Sequence, residues 1–134
     1  MKKRLDLGNS ETLSSREVAI TGLGIASVVG GVGKMVRVRH FTNSSGFRGI
    51  QQSGVIRTGD KGRVFAVPAR GNPGSPREVE RALGLLPGRG RNYVEFNASS
   101  DEFEIITNPS TGAREFRFRG DVELTERNPS FFKR

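Results

Sequence analysis

The chain has 134 residues, a formal net charge of +8 and no cysteine. The length allows one domain of ordinary size, and the lack of cysteine excludes a disulfide scaffold, a cysteine-ligated metal site and cysteine nucleophile chemistry. The single histidine, His40, excludes a multi-histidine metal centre built from this chain. With 34% hydrophobic residues and 18 glycines, the sequence predicts a small core and many loops.

Positive charge is concentrated in the middle of the chain. Residues 36–92 contain eleven basic and three acidic residues, a net charge of +8, whereas residues 93–134 have a net charge of −2. Ten of those eleven cations are arginines, whose planar guanidinium binds phosphate through paired hydrogen bonds. The pattern is typical either of a solvated basic surface or of a site for a polyanion, such as a nucleic acid or a dinucleotide.

The beginning of the chain is predicted to be a lead-in rather than part of the folded domain. Residues 1–17 are polar and unpatterned, and residues 18–33 are uncharged with five glycines. This apolar run is shorter than the ~20 residues that a membrane-spanning helix needs, so we expect no membrane anchor. Residues 1–35 are therefore interpreted as a flexible linker or lead-in segment, and residues 36–134 as the folded domain.

Two short helices and five to seven short strands are predicted in the folded domain, which makes it α+β. One helix spans about 45–53, with Ser44 or Ser45 as its N-cap and Gly54 after its end. The other begins at a capping box, SPRE at 75–78, and stops at Gly84. Alternating apolar residues predict strands at 36–40, 63–67, 92–97, 103–107 and 113–119, with one more at 122–124.

Three residues are candidates for chemistry. His40 ends a strand beside a polar turn, where it is either a half-buried histidine bonded to the backbone or a donor to ribose hydroxyls. Glu95 interrupts an apolar strand and shares a face with Tyr93 and Asn97, so that face is either solvent-exposed or lines a catalytic cleft. Phe65 lies in a strand, where phenylalanine usually packs in the core, and a stacking role is the alternative.

Three segments follow one another in a characteristic order: VRHFT at 38–42 before a helix, VFAV at 64–67 before the capped helix, and YVEF at 93–96. This order resembles the ADP-ribosyltransferase fold. Over about residues 36–130, the chain more closely resembles the C-terminal toxin domains of bacterial polymorphic (Rhs-type) effectors with a His-Tyr-Asp signature, through RHFTNSSGFRGIQQSGVI, GRGRNYVEF and FRGDVELTERNP. The resemblance implies an α+β, ADP-ribosyltransferase-like split β-sheet core with two short helices.

The resemblance also implies a substrate, NAD, and a set of residues that bind it, with no metal. His40 would hold the ribose of NAD, with support from Thr42. Arg39 or Arg37 would reach the pyrophosphate. Phe41 stands where the family commonly has a tyrosine.

Two acids compete for the catalytic role that the resemblance implies. Glu95 matches the acid-then-aromatic pattern of the catalytic strand, and it would bind the 2′-hydroxyl of the nicotinamide ribose and stabilise an oxocarbenium-like transition state. Asp121, in the late Gly-Asp-Val segment, is the alternative catalytic acid. The nicotinamide ring would stack on Phe65 or Tyr93.

The function implied is that of an NAD-dependent ADP-ribosyltransferase and antibacterial toxin. It would modify a component of the translation machinery, a protein factor in preference to ribosomal RNA, after delivery into the cytoplasm of a target bacterium. The producing cell would need a cognate immunity protein, and an acidic one would complement the arginine-rich region. The basic composition also allows a nucleic-acid-binding or ribonuclease toxin module, and a non-catalytic interaction domain is a third hypothesis.

Overall fold

Strands account for most of the regular structure in residues 33–59 and 62–134, which the computed structural model describes. The two helices are α1 (Ser44–Ser53) and α2 (Pro76–Leu83). The strands are β1 (Met35–Thr42), β2 (Val55–Ile56), β3 (Arg63–Pro68), β4 (Asn92–Ser99), β5 (Phe103–Thr107), β6 (Arg114–Arg119), β7 (Val122–Glu123) and β8 (Ser130–Phe132). The α+β prediction is confirmed. Residues 1–32 of the predicted lead-in lie outside the described residues, so the flexibility of the lead-in stays a prediction.

The start of α1 differs from the prediction by one residue. Asn43, rather than Ser44 or Ser45, is the N-cap, because its backbone is still extended and its side-chain oxygen accepts from the amide of Gly46 at 2.8 Å. The end is as predicted: Gly54 adopts a left-handed conformation (φ 72°) that other residues rarely adopt.

Helix α2 begins and ends as its sequence predicts. Ser75 accepts from the amide of Glu78, and the Glu78 carboxylate accepts from the amide of Ser75 at 2.8 Å, which completes a capping box with Pro76 in the first turn. Gly84 terminates the helix with φ 68°. The helix is therefore fixed at both ends by local interactions.

The strands form a six-stranded antiparallel sheet in the order β5-β6-β3-β1-β4-β8, and β2 and β7 pair separately. Eight residue pairs join β1 to β4 in continuous register from Met35 and Ser99 to Thr42 and Asn92. Only two pairs, Val38 with Pro68 and Arg39 with Val67, join β1 to β3 in the described residues. The sheet is thus divided at its centre, where the later residues of β1 have no ladder partner in β3.

The core lies on one face of the sheet. Val38, Val94 and Phe96 are fully enclosed, and α1 contributes Phe47 and Ile50.

Strand β8 was not predicted, because it has only three residues, directly after a proline, and these are too few to show strand alternation. No helix of the described residues is long and apolar enough to cross a membrane.

Candidate active site

A cavity of about 820 Å³ opens where β1 and β3 separate. It is lined by the later residues of β1, by α1, by β3 and by loop residues near the end of α2. Four of the predicted site residues border it, namely Arg39, His40, Thr42 and Phe65. The structure divides the predicted set into two groups, because the described residues that line the cavity do not include Arg37, Tyr93, Glu95 or Asp121.

His40 occupies the gap between the two diverging strands. Its Nδ1 lies 2.7 Å from the backbone carbonyl oxygen of Phe65. Because a carbonyl oxygen only accepts, Nδ1 must carry the proton, and a neutral imidazole then has an acceptor at Nε2. Burial lowers the pKa of His40 below 6.5, and the hydrogen bond to Phe65 opposes that shift only partly. His40 is therefore both bonded to the backbone and exposed to the cavity.

Thr42 and the first turn of α1 meet closely at the cavity wall. A Cβ atom on Gly46 would lie 2.1 Å from the Oγ1 of Thr42, so any side chain at position 46 would displace that hydroxyl. Both residues line the cavity. The packing fixes Thr42 against the helix, two residues beyond His40.

Phe65 presents its ring toward solvent rather than the core. It is 41% exposed, although its neighbours Val64 and Ala66 are buried. Strand alternation accounts for this, because successive side chains point to opposite faces. An exposed aromatic ring in a cavity wall is available to stack on a planar ligand.

Arg39 and Glu95 face each other across β1 and β4 and form an ion pair. Nε and Nη2 of Arg39 lie 2.8 and 2.7 Å from Oε2 of Glu95. Arg39 is only 6% exposed, and Nη2 also donates to the carbonyl of Gly71 at 2.9 Å. Its donors are thus largely used within the protein, and the carboxylate of Glu95 serves to neutralise a buried guanidinium.

Arg37 is similarly engaged. Its guanidinium donates to Oδ1 of Asn97 at 3.0 Å, to the carbonyl of Asn128 at 2.7 Å and to Oγ of Ser130 at 3.0 Å. These bonds connect β1 to β4, to the segment that precedes β8 and to the first residue of β8. Arg37 acts here as a structural cross-link.

Tyr93 lies in an aromatic stack on the same face as Glu95. Phe132 stacks on its ring at 4.7 Å, and Phe41 packs at 5.4 Å. The guanidinium carbons of Arg39 and Arg134 lie 5.0 and 5.2 Å from its centroid. Because Tyr93 is only 8% exposed, protein groups already cover its ring.

Asp121 links two loops. Its Oδ1 accepts from the amide of Thr58 at 2.9 Å, and its Oδ2 is 3.8 Å from Nη1 of Arg57. The geometry is that of an aspartate that fixes a turn.

Glu115 is an acid that the sequence analysis did not select. It lies on β6 beside the core residue Phe116, is only 9% exposed, and borders the same cavity as His40 and Phe65. Its Oε2 accepts from Nδ2 of Asn108 at 3.0 Å. The signal was present in the sequence, because Glu115 is followed by phenylalanine in the same way as Glu95.

Arginines supply the cationic part of the cavity wall. Arg57, Arg63 and Arg89 border it, in addition to the paired Arg39. Glu115 is the one carboxylate among the described lining residues, so the wall carries an excess of positive charge. Such a wall suits an anionic ligand.

A family model described as a HYD1 signature containing ADP-ribosyltransferase matches residues 38–126. The matched region runs from β1 to the segment that follows β7, and it contains the residues that line the cavity. No curated protein and no solved structure matches the chain. Since the match extends over about two thirds of the sequence, the chain belongs to this family of toxins, enzymes that transfer ADP-ribose from NAD.

Proposed function

We propose that NAD binds in the cavity between β1 and β3, with His40, Phe65 and Glu115 as its principal contacts. The observation that supports this is that one cavity is bordered by a histidine with a vacant acceptor, an exposed aromatic ring and a single described carboxylate. These groups match the parts of a nicotinamide nucleoside: hydroxyls, a planar ring and a carbon that becomes cationic.

His40 and Phe65 bind and orient the dinucleotide in this proposal. Nε2 of His40 accepts a hydrogen bond from a ribose hydroxyl, because Nδ1 is committed to the Phe65 carbonyl. This revises the expectation that His40 donates to the ribose. The ring of Phe65 stacks on the nicotinamide, a role that Tyr93 cannot take while Phe132 covers it.

Glu115 is proposed as the catalytic carboxylate, in place of Glu95 or Asp121. The bond between the ribose C1′ and the nicotinamide nitrogen breaks, nicotinamide leaves as a neutral molecule, and positive charge develops on the ribose. A fixed carboxylate stabilises that charge, typically by a factor of about a hundred or more in rate. The acceptor nucleophile then bonds to C1′ and loses its proton.

Arg57 and Arg89 are proposed to hold the pyrophosphate. Both border the cavity, and the side chain of Arg57 is 71% exposed with only a distant contact to Asp121. The guanidinium groups of Arg37 and Arg39, which the resemblance suggested, are bound to protein acceptors instead. Two arginines that bind the same pyrophosphate would raise its affinity and fix its orientation.

The acceptor of ADP-ribose is proposed to be a component of the bacterial translation machinery. The net charge of +8 supports this, because a basic enzyme is attracted to the polyanionic ribosome and to the factors bound there. We place a protein factor ahead of ribosomal RNA. On this proposal the toxin acts in the cytoplasm of a target bacterium, and an acidic immunity protein that covers the arginine-bordered cavity protects the producer.

Labelled NAD tests the function directly. The purified chain is incubated with biotin-labelled NAD and a bacterial lysate, with Glu115→Gln as the matched inactive control. We expect label on a ribosome-associated macromolecule, removed by protease and retained after nuclease. Removal by nuclease would instead identify RNA as the acceptor, and a wild-type chain that neither labels the lysate nor consumes NAD would contradict the proposal.

A further inference from the structure

The contacts of Asn108 point to a second residue of the catalytic centre. Asn108 follows β5 and borders the cavity together with Glu115, which lies in the partner strand β6. Its side chain has a donor end and an acceptor end, and the two ends have different partners. We propose that Asn108 is a positioning residue that sets the orientation of the Glu115 carboxylate; the inference rests on the proposed role of Glu115.

The acceptor end of Asn108 is fixed by its own loop. Its Oδ1 accepts from the amide of Ser110 at 2.9 Å and lies 3.4 Å from that of Thr111. The backbone of Asn108 is also held, because its amide donates to the carbonyl of Ala113 at 2.8 Å and its carbonyl accepts from Gly112 at 2.7 Å. The amide group therefore has one orientation, with Nδ2 directed away from the turn.

The donor end of Asn108 holds one oxygen of Glu115. Nδ2 lies 3.0 Å from Oε2 of Glu115, and it also approaches the carbonyl of Leu83 at 3.5 Å. No other side chain of the described residues donates to the Glu115 carboxylate. With Oε2 bound, rotation of the carboxylate is restricted, and Oε1 is left for a ligand in the cavity.

This arrangement gives the hydrogen bond a function beyond stability. A carboxylate that must meet charge developing at C1′ acts best when its direction is set before the reaction, since no reorganisation is then required. A neutral amide donor fixes that direction without forming an ion pair. A nearby arginine would fix the group too, but it would neutralise the charge that the transition state needs.

Three variants separate positioning from folding. Asn108→Asp keeps an acceptor for the Ser110 amide and replaces the donor by an oxygen that repels Glu115. Asn108→Ala removes both ends, and Thr111→Ala is the matched control, because it alters the same loop without touching the donor. The readouts are NAD turnover as nicotinamide release, the KM for NAD, and Tm.

We expect Asn108→Ala to lower kcat about tenfold with little change in KM, and Asn108→Asp to lower it further although the turn is kept. Thr111→Ala should retain wild-type kcat. In a Glu115→Gln background, Asn108→Ala should add no further loss, because its effect acts through the carboxylate.

Two results would overturn the inference. One is a wild-type kcat in a folded Asn108→Asp variant. The other is that Asn108→Ala lowers kcat by the same factor in the wild type and in the Glu115→Gln background. Failure of the proposed function gives a different result, because a Glu115→Gln variant with wild-type turnover removes the role of Glu115 itself.

Discussion

Arg39 contacts a single oxygen of Glu95, Oε2, through both Nε and Nη2, at 2.8 and 2.7 Å. The pair lies on β1 and β4, and the Glu95 carboxylate is not among the described groups that line the cavity. Glu115, on β6, does line it. The two glutamates therefore lie in different surroundings, and paired substitutions test the different roles that we propose for them.

Glu115→Gln should reduce NAD turnover by about a hundredfold or more, because the amide keeps the shape of the side chain and loses the charge that stabilises the transition state. NAD affinity, measured by calorimetry, should change little. Tm should stay near that of the wild type. Wild-type turnover in this variant would exclude Glu115 as the catalytic carboxylate.

Glu95→Gln should show the opposite pattern. Loss of the charge leaves the buried guanidinium of Arg39 with weaker acceptors, which should lower the free energy of unfolding by about 2 kcal/mol. Turnover per folded molecule should stay close to wild type. If Glu95→Gln instead abolishes turnover in a chain of unchanged stability, the catalytic acid lies on β4, as the sequence resemblance suggested.

The stability of the protein should depend on the ionisation of His40. Burial lowers its pKa in the folded chain below the value of 6.5 that applies when it is unfolded. As pH falls through 6.5, the unfolded chain takes up a proton that folded His40 does not, so stability decreases until the lowered pKa is reached and then levels off.

His40→Gln is the control for that pH dependence. The free energies of unfolding of the wild type and the variant, measured from pH 7.5 to 5, should differ in slope just below pH 6.5, with the steeper loss in the wild type. Identical slopes would show that His40 ionises as easily in the folded protein as in the unfolded one.

NAD should raise Tm. A ligand that binds only the folded state adds RT ln(1 + [L]/Kd), which is about 2.7 kcal/mol at a hundredfold excess over Kd. The shift should be smaller in Phe65→Ala, which lacks the stacking surface. An absence of any shift at millimolar NAD, in a wild type that also fails to hydrolyse NAD, would count against the cavity as a nucleotide site.

Asp121→Ala should lose about 1 kcal/mol of stability, since the Thr58 amide loses its acceptor, while Asp121→Asn keeps an acceptor and should be nearly neutral. Neither variant should lower NAD turnover by more than a few fold. Parallel turnover and melting measurements check this, and a collapse of turnover in folded Asp121→Asn would assign the catalysis to Asp121.

Tyr93→Phe should leave both turnover and Tm near wild type, because the ring keeps its stack with Phe132 and its contacts with the two guanidinium groups. Tyr93→Ala should lower the free energy of unfolding by about 3 kcal/mol, as is typical of a deleted buried aromatic residue. A folded Tyr93 variant with a raised KM for NAD and unchanged stability would restore the expected contact between Tyr93 and nicotinamide.

Local signals in the sequence were sufficient for both ends of α2, for the end of α1 and for most strands, because capping residues and alternation act between near neighbours. They did not single out one acid for the catalytic role. Glutamate followed by phenylalanine occurs at 95–96, 102–103 and 115–116, and this local pattern does not distinguish one pair from another. What distinguishes Glu115 is the strand order, which places β6 beside β3 although β4 and β5 lie between them in the chain.

The narrow join between β1 and β3 has a consequence for motion. Two residue pairs connect these strands, whereas eight connect β1 to β4. The amide hydrogens between β1 and β3 are therefore protected by fewer ladder hydrogen bonds. Their exchange with solvent can proceed through a local opening that leaves the β1–β4 ladder intact. We therefore expect local unfolding to begin between β1 and β3, along the wall of the cavity, and a ligand that bridges the two strands to slow hydrogen exchange there.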